Sequence, residues 1–545
     1  MARWSLTLLV GLTLQLAIVH AKVEVSATPS VLMASGDRVT VNWSGLHDLQ
    51  HPGHLVVAYY SPANSHDSDY VGYFDVPHGD AGSLSFAAVN MRADLEFRLV
   101  DLGSEAKPIE SIATSNVLTF ASANEPTGAH LALTDDPSEM RVIWTTAESV
   151  DGSMVQWGEQ SGVYPSSAVA TFATFKIEDL CGYPANASRG WREPGVKNDA
   201  VMSSLQPGRR YFYRVGSDSA GFSTERSFVS HPGVGADVET SAFVFGDMGL
   251  DADYLTFLRL QKASTKTVQY MIRDIKDSGD VPWFLAHIGD ISYARGYAFL
   301  WDQFFYQVEP LASTVPYMVC IGNHEWDWPG HGFQPEWYKY GTDSGGECGV
   351  PYDTNFNMPG QGANRNMWYS VDYGAIHFVF FSTEHNFTVG SEQYNWLAND
   401  LASVNRSLTP WVVVSGHRPM YTSSNDSGIG ENIRQELEPL LNKAPHVDLA
   451  LWGHVHDYER FCGMTNYTCA ASDRDATVHA VVGMGGNDYQ IPWAGPGYVH
   501  TQQDWVVFRS MTYGYTKLFA NATSLRMDYV GDGRGEVHDS LLLTK

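Results

Sequence analysis

The sequence predicts a mixed architecture: all-β sandwich domains first, then a layered α/β fold in which a β-sandwich is flanked by helices. Three observations predict it. Residues 22 to about 235 carry short β-type runs broken by turn residues and show no helical periodicity. From about 240, apolar strand-like runs alternate with amphipathic helical ones. Five of those strand-like runs end in a short segment that offers Asp, Asn, Tyr or His, at the strand end where an open α/β sheet places its ligand site. At 545 residues the chain exceeds what one hydrophobic core serves, so several domains are expected.

Residues 1–21 read as a secretory signal. Arg3 starts it, an apolar run spans Leu6 to Val19, and small residues close it at Val19 and Ala21. That run is too short to span a bilayer, and the tail from Ser540 to Lys545 is neither a membrane helix nor a lipid-anchor signal, so a secreted or vacuolar protein without a membrane anchor is expected. A β-rich domain over 22–122 includes Arg38–Trp43 and His54–Tyr60. A second β-sandwich over 123–235 includes Met140–Thr145 and Arg210–Val215, with Ala123–Gly128 and His231–Gly235 as its linkers. In the region 236–545, strands are predicted at Ala242–Phe245, Trp283–Ile288, Tyr317–Ile321, Ile376–Ser382, Trp411–Ser415 and Val447–Trp452. Helices are predicted around Val268, Met271, Ile272 and Ile275, closed by Gly279; around Leu397, Leu401 and Val404; and around Ile433, Leu437, Leu440 and Leu441. The last stretch, from Val478 through Val530, returns to β and is expected to complete a second sheet packed on the first.

A net charge of −27 excludes nonspecific nucleic-acid binding, which needs clustered Lys and Arg. It does not exclude a phosphate substrate, because bound cations would reverse the local field. Export is supported by seven Asn-x-Ser/Thr sequons, at Asn42, Asn186, Asn386, Asn405, Asn425, Asn466 and Asn521. Of the five cysteines, Cys462 and Cys469 are close enough for a local disulfide, Cys181 with Cys348 is a second candidate pair, and Cys320 sits in a strand as a buried thiol.

The five segments are Gly246-Asp247-Met248-Gly249, Gly289-Asp290-Ile291-Ser292-Tyr293, Gly322-Asn323-His324-Glu325, Val414-Ser415-Gly416-His417 and Gly453-His454-Val455-His456. Asp247, Asp290, Tyr293, Asn323, His417, His454 and His456 are too many ligands for one ion and suit two, which lie about 3.5–4 Å apart in the usual phosphoester-hydrolysing arrangement. Asp290 is the natural bridge, since a carboxylate has two oxygens. A phenolate from Tyr293 requires an ion acidic enough to displace a proton of pKa about 10, such as ferric iron. His287, His377 and His446 lie in or beside apolar strands and are assigned to structure. Glu384 and His385 follow a strand and are open to ligation or to contact behind the ligands. Gly531–Gly535 reads as a hairpin turn rather than a calcium loop.

In this order and at spacings of 43, 33, 94 and 37 residues, the segments resemble the signature of the purple acid phosphatases, a family of calcineurin-like metallophosphoesterases. Gly345–Pro351 and Gly416–Tyr421 resemble its larger plant-type subgroup, and the segment from about 124 to 232 resembles the family's fibronectin-type sandwich. The resemblance implies an acid phosphatase for phosphate monoesters, with ferric iron on Asp247, Tyr293 and His456, a divalent zinc, manganese or iron on Asn323, His417 and His454, Asp290 bridging, and a metal-bound hydroxide as nucleophile. It implies a phosphorylated small molecule as substrate and His324 as the outer histidine beside the phosphate or leaving group; a homodimer is open. Two departures stand out. The histidine pair that smaller plant members carry after the fourth segment is replaced by Thr422–Ser427, and Arg295 stands where they carry Asp, so Arg295 becomes a candidate phosphate contact. A phosphodiesterase or nucleotide pyrophosphatase is the alternative within the class. A catalytically idle secreted binding or adhesion protein is the alternative outside it.

Overall fold

A computed structural model describes residues 22–545 apart from 50–53, 78, 103–108, 334, 336–340, 361–363, 365, 425–429, 444, 488–502 and 532–534. The signal segment and the Asn425 sequon therefore lie outside the described residues. Up to residue 235 the described chain is β, with two single turns of 3-10 helix at Leu46–Asp48 and Ile177–Asp179. A three-stranded sheet (Glu24–Thr28, Arg38–Ser44, Gly82–Ala87) meets a four-stranded one (Gly72–Asp75, Leu55–Tyr60, Glu96–Asp101, Glu110–Thr114). The alternation in Arg38–Ser44 explains the packing. Val39, Val41 and Trp43 turn inward while Arg38, Asn42 and Ser44 face solvent. A second pair of sheets follows, built on Thr127–Ala132, Met140–Thr146 and Val196–Met202 in one and on Met154–Gly158 and Arg210–Ser217 in the other.

Two further sheets form the second half. In the first, Thr240–Phe245, Trp283–Ile288 and Tyr317–Cys320 run parallel. In the second, Ile376–Phe380, Trp411–Gly416, Leu449–Trp452 and Val478–Val482 run parallel. The two join face to face through apolar side chains such as Phe284 and Phe378, whose rings stack at 4.7 Å. Helices cover the outside: α1 (Ser264–Ser278) and α2 (Ala298–Ala312) on the first sheet, α5 (Glu392–Ser403) and α6 (Gly430–Leu441) on the second, with the short α3 (Asn323–Trp326) and α4 (Val350–Asn355) between. α1 buries Thr267, Val268 and Met271 and ends at Gly279, as its periodicity predicts. Gly279 has a φ of 68°, and there a side chain would be strained.

Two readings of the sequence need correction. The final β stretch completes the second sheet only in part. Val478–Val482 and Val506–Ser510 join the second sheet, whereas Gly514–Ala520, Ser524–Gly531 and Glu536–Thr544 extend the first, with Gly514–Ala520 antiparallel to Thr240–Phe245. Backbone hydrogen bonding is generic, so alternation marks a strand without naming its neighbour. α2 is absent from the predicted elements because it is apolar around most of its circumference, burying nine of its residues and leaving no clear amphipathic stripe.

α2 also ties the β regions to the layered half. Asp302 takes a two-pronged ion pair from Arg92, at 2.7 and 2.9 Å. Glu309 receives Arg226 and the backbone N–H of Gly128. The cysteines fall as read. Cys462–Cys469 and Cys181–Cys348 are disulfides, and Cys320 is a buried free thiol. No helix among the described residues is long and apolar enough to cross a membrane.

Candidate metal centre

All seven candidate ligands converge at the carboxyl ends of the two parallel strand sets. Asp247, Asp290 and Asn323 follow the three parallel strands of the first sheet, while His417, His454 and His456 follow two of the second. The site therefore lies at one end of the sandwich, with each sheet supplying half of it. Asp247, Asp290, Tyr293 and His454 all have φ between 50° and 69°. Non-glycine residues rarely adopt this left-handed region, and the strain is held by the packed strands behind the turns. Glycine is required where those turns touch. A Cβ on Gly289 would lie 2.3 Å from His417 Nδ1, and one on Gly322 would lie 2.3 Å from Asp290 Oδ1.

The ligand atoms sort into two groups that share one residue. Asp290, His417 and His454 form one, and Asp247, Asp290 and His456 form the other, each with its ligand atoms within 4.8 Å of one another. Asn323 belongs with the first, since its Oδ1 lies 2.9 Å from both His417 Nε2 and His454 Nδ1. Tyr293 belongs with the second, its hydroxyl 3.1 Å from Asp247 Oδ1 and 2.9 Å from His456 Nε2. Nearly buried carboxylates, imidazoles and a phenol in one cavity fit a pair of cations, because without positive charge such a cluster is costly to bury. The charge balance agrees. Burial and the carboxylates of Asp247 and Asp290 push the Tyr293 phenol well above its usual range, so only a strongly acidic cation would draw off its proton. Burial also opposes charge on Asp290, but His417 and His324 hold its carboxyl well below the ordinary range.

The surroundings set which atoms face the cavity. His417 Nδ1 is 3.1 Å from the carbonyl of Ile288, which leaves Nε2 for the site. His324 Nδ1 is 3.0 Å from the carbonyl of Asp343, which leaves its Nε2 free, 3.8 Å from Asp290 Oδ2. Asp343 Oδ2 accepts from Asn323 Nδ2 at 3.1 Å and so turns the amide oxygen toward the two histidines. Arg295 stacks over the Tyr293 ring at 5.1 Å, with φ of 49°. Of the two roles open to Glu384, the structure shows the second: it is buried behind the ligands and paired with Arg418 at 2.9 Å. His385 bonds Ser382 Oγ through Nδ1, at 2.8 Å. His287 donates to or accepts from Tyr317 and lies behind Asp290 and His417, and His377 is clasped by Asp372 and Asp400; both are structural, as read.

Glu325, Asp343 and Asn487 are contributors that the sequence reading passed over. Glu325 accepts three backbone N–H groups, from Asp290, Ile291 and Gly322 at 2.8 to 3.0 Å, and so clamps the second segment to the third. The acidic residue three places after Gly322 is readable as the N3 half of a capping box, bonding the N-cap N–H, while glycine has no side chain to supply the other half. Asn487 donates its backbone N–H to the Asp247 carbonyl and bonds the Tyr293 hydroxyl, and no pattern near residue 487 marks it. The six sequon asparagines within the described residues are all exposed.

Comparison with known proteins places these features together. Residues 126–230 match a model described as the purple acid phosphatase N-terminal domain, 241–458 a calcineurin-like phosphoesterase model, and 476–540 an iron/zinc purple acid phosphatase-like C-terminal model. A relative from Arabidopsis thaliana, named probable inactive purple acid phosphatase 9, is 44% identical over 96% of this chain and 86% of its own length. A nucleotide pyrophosphatase/phosphodiesterase from Hordeum vulgare is 37% identical over 58% of this chain and 86% of its own. Among solved structures, a purple acid phosphatase from yellow lupin (Lupinus luteus) seeds superposes with a TM-score of 0.86 at 31% identity, covering 96% of both chains.

Proposed function

The chain belongs to the purple acid phosphatase family, and from that premise we propose that it is an active, exported hydrolase of phosphate monoesters working at acidic pH. The observation that carries this reading is the division of seven ligands into two groups that share Asp290. Asp247, Tyr293, His456 and Asp290 would hold ferric iron, and Asn323, His417, His454 and Asp290 a divalent ion. When bound, the two ions supply Lewis acidity, which stabilises charge on the phosphoryl oxygens and activates the attacking water. A retired site would have little reason to retain all seven ligands, four of them at strained turns, which weighs against an idle protein even though close relatives are named as inactive.

The chain's own part is to orient and to manage protons. Burial and the nearby Arg295 charge pull the His324 pKa down to about 4, against the pull of Asp290. With its proton on Nδ1 and bonded to the Asp343 carbonyl, His324 presents Nε2 as an acceptor. A monoester phosphate below its second pKa of about 6 carries one P–O–H that can donate to that nitrogen. Because His324 is backed by a carbonyl, not a carboxylate, it orients the phosphate without passing a proton onward. Arg295, stacked on Tyr293, is the cation that would meet a phosphoryl oxygen.

Phosphodiester or pyrophosphate cleavage is the second reading. It is favoured by the activity for which the Hordeum vulgare relative is named and by Thr422–Ser427 in place of histidines. Turnover of nitrophenyl phosphate against its bis-ester separates the two. Metal analysis with a visible spectrum tests the centre itself. Asp290→Asn should lower turnover at least a thousandfold in folded protein, and full activity in that variant would overturn the proposal. The signal segment, two disulfides and six exposed sequons support export and glycosylation.

A further inference from the structure

The segment Gly416-His417-Arg418-Pro419 carries a cation that the metal centre does not use as a ligand. Arg418 is almost wholly buried, one residue after His417. Its Nε donates to both oxygens of Glu384, at 2.9 and 3.2 Å. Its Nη2 donates to Asp327 Oδ2 at 2.8 Å. Its Nη1 lies 3.3 Å from His454 Nε2. Two of these contacts lead into one ligand group, through Asp327 and at His454. Asp327 is the residue that ends α3, and its N–H bonds the carbonyl of Asn323. His454 Nδ1 is the nitrogen turned toward Asn323; when that nitrogen is a ligand the ring's proton sits on Nε2, so the guanidinium holds the ring by packing against its Nε2 edge and not by donating to it. Thr383 Oγ1 accepts the backbone N–H of Arg418 and donates to Glu384, which closes the arrangement.

We propose that Arg418 is a positioning residue for one half of the centre. Held by Asp327 and Glu384, it fixes His417, His454 and the Asn323 helix in register and so sets affinity at the divalent-ion group, while the Asp247–Tyr293–His456 group is built without it. Partners of this kind behind metal ligands change affinity by about 10–100-fold when removed. The fork geometry matters as well as the charge. A lysine at 418 would keep a cation in the buried space but has no planar fork with which to reach both carboxylates at once.

The inference rests on the two-metal reading and is tested through metal retention. Wild-type protein and the Arg418→Lys and Arg418→Met variants are dialysed against buffered Zn2+ over a range of free concentrations. Bound metal per chain, the visible absorption and the thermal midpoint are then measured. Wild type should retain two ions. Arg418→Lys should hold the second ion only at about 10–100-fold higher free Zn2+, with the more tightly held ion and its absorption unchanged. Arg418→Met leaves Asp327 and Glu384 without their cation and should be weaker still, so partial rescue by lysine marks the charge and the residual defect marks the fork. Glu384→Gln, which keeps Arg418 but loosens its seat, should shift the same ion in the same direction. Unchanged retention of both ions in Arg418→Lys and Glu384→Gln would overturn the proposal. So would parallel loss of both ions, which denotes a general structural role. Wild-type protein that retains no metal would overturn the two-metal reading itself.

Discussion

Glu325 offers the sharpest test of how the second and third ligand segments are joined. Its carboxyl is buried, with one oxygen accepting from Ile291 N at 2.8 Å and the other from Asp290 N and Gly322 N, both at 3.0 Å. Burial and the Asp290 charge push its pKa up to about 8, against those N–H donors, yet its oxygens accept in either protonation state. Glu325→Ala strands three buried N–H groups. Each costs about 1–3 kcal/mol, and water entering the space left behind recovers part, so about 3–5 kcal/mol is expected. Glu325→Gln keeps the volume and one accepting oxygen. With that oxygen placed between Asp290 N and Gly322 N, only Ile291 N is stranded, at about 1–3 kcal/mol. Thermal unfolding should drop by roughly 5–15 °C for Ala and by about a third of that for Gln. Both variants should lose metal more readily than wild type, because Asp290 and Asn323 are no longer held in register. Equal effects from Ala and Gln, or an Ala variant within about 1 kcal/mol of wild type, would refute the clamp.

His377 predicts a pH dependence remote from the metals. Burial disfavours its charge, but Asp372 and Asp400, at 2.6 and 2.9 Å, raise its pKa to about 9. Since the folded value lies above the ordinary 6.5, the clasp contributes fully below pH 6.5 and is lost as pH rises through 9. After allowance for the solvent-open Asp372, its worth is about 2 kcal/mol. Unfolding measured at pH 5 and pH 10 should show His377→Gln costly at the first and nearly neutral at the second; a cost that does not change with pH would refute this. Gly289→Ala would place a methyl on His417 at a φ of 90°, so divalent-ion retention should fall while folding persists, as circular dichroism and metal analysis would show.

Much of the fold and most of the centre were legible in the sequence for a local reason. A ligand at a strand's carboxyl end is announced by the apolar run before it, as at Val412–Ser415 before His417. Glycines at 289 and 322 announce the tight turns. The periodicities of α1, α5 and α6 were legible because each has one wet face, while α2 was not, because it is buried nearly all round.

By itself, then, the sequence determined the candidate ligand set, the strand ends that carry it and the local cysteine pair, all of which are written in a few adjacent residues. Tertiary structure alone decided which sheet each strand joins, that the two sheets meet so that Asp290 belongs to both ligand groups, and that His324 is backed by the Asp343 carbonyl. It alone brought Arg418 to Glu384, Asp327 and His454, which lie 34, 91 and 36 residues away. Those contacts link distant residues through generic donors and acceptors, and only the packed positions of the strands and helices determine which of them meet.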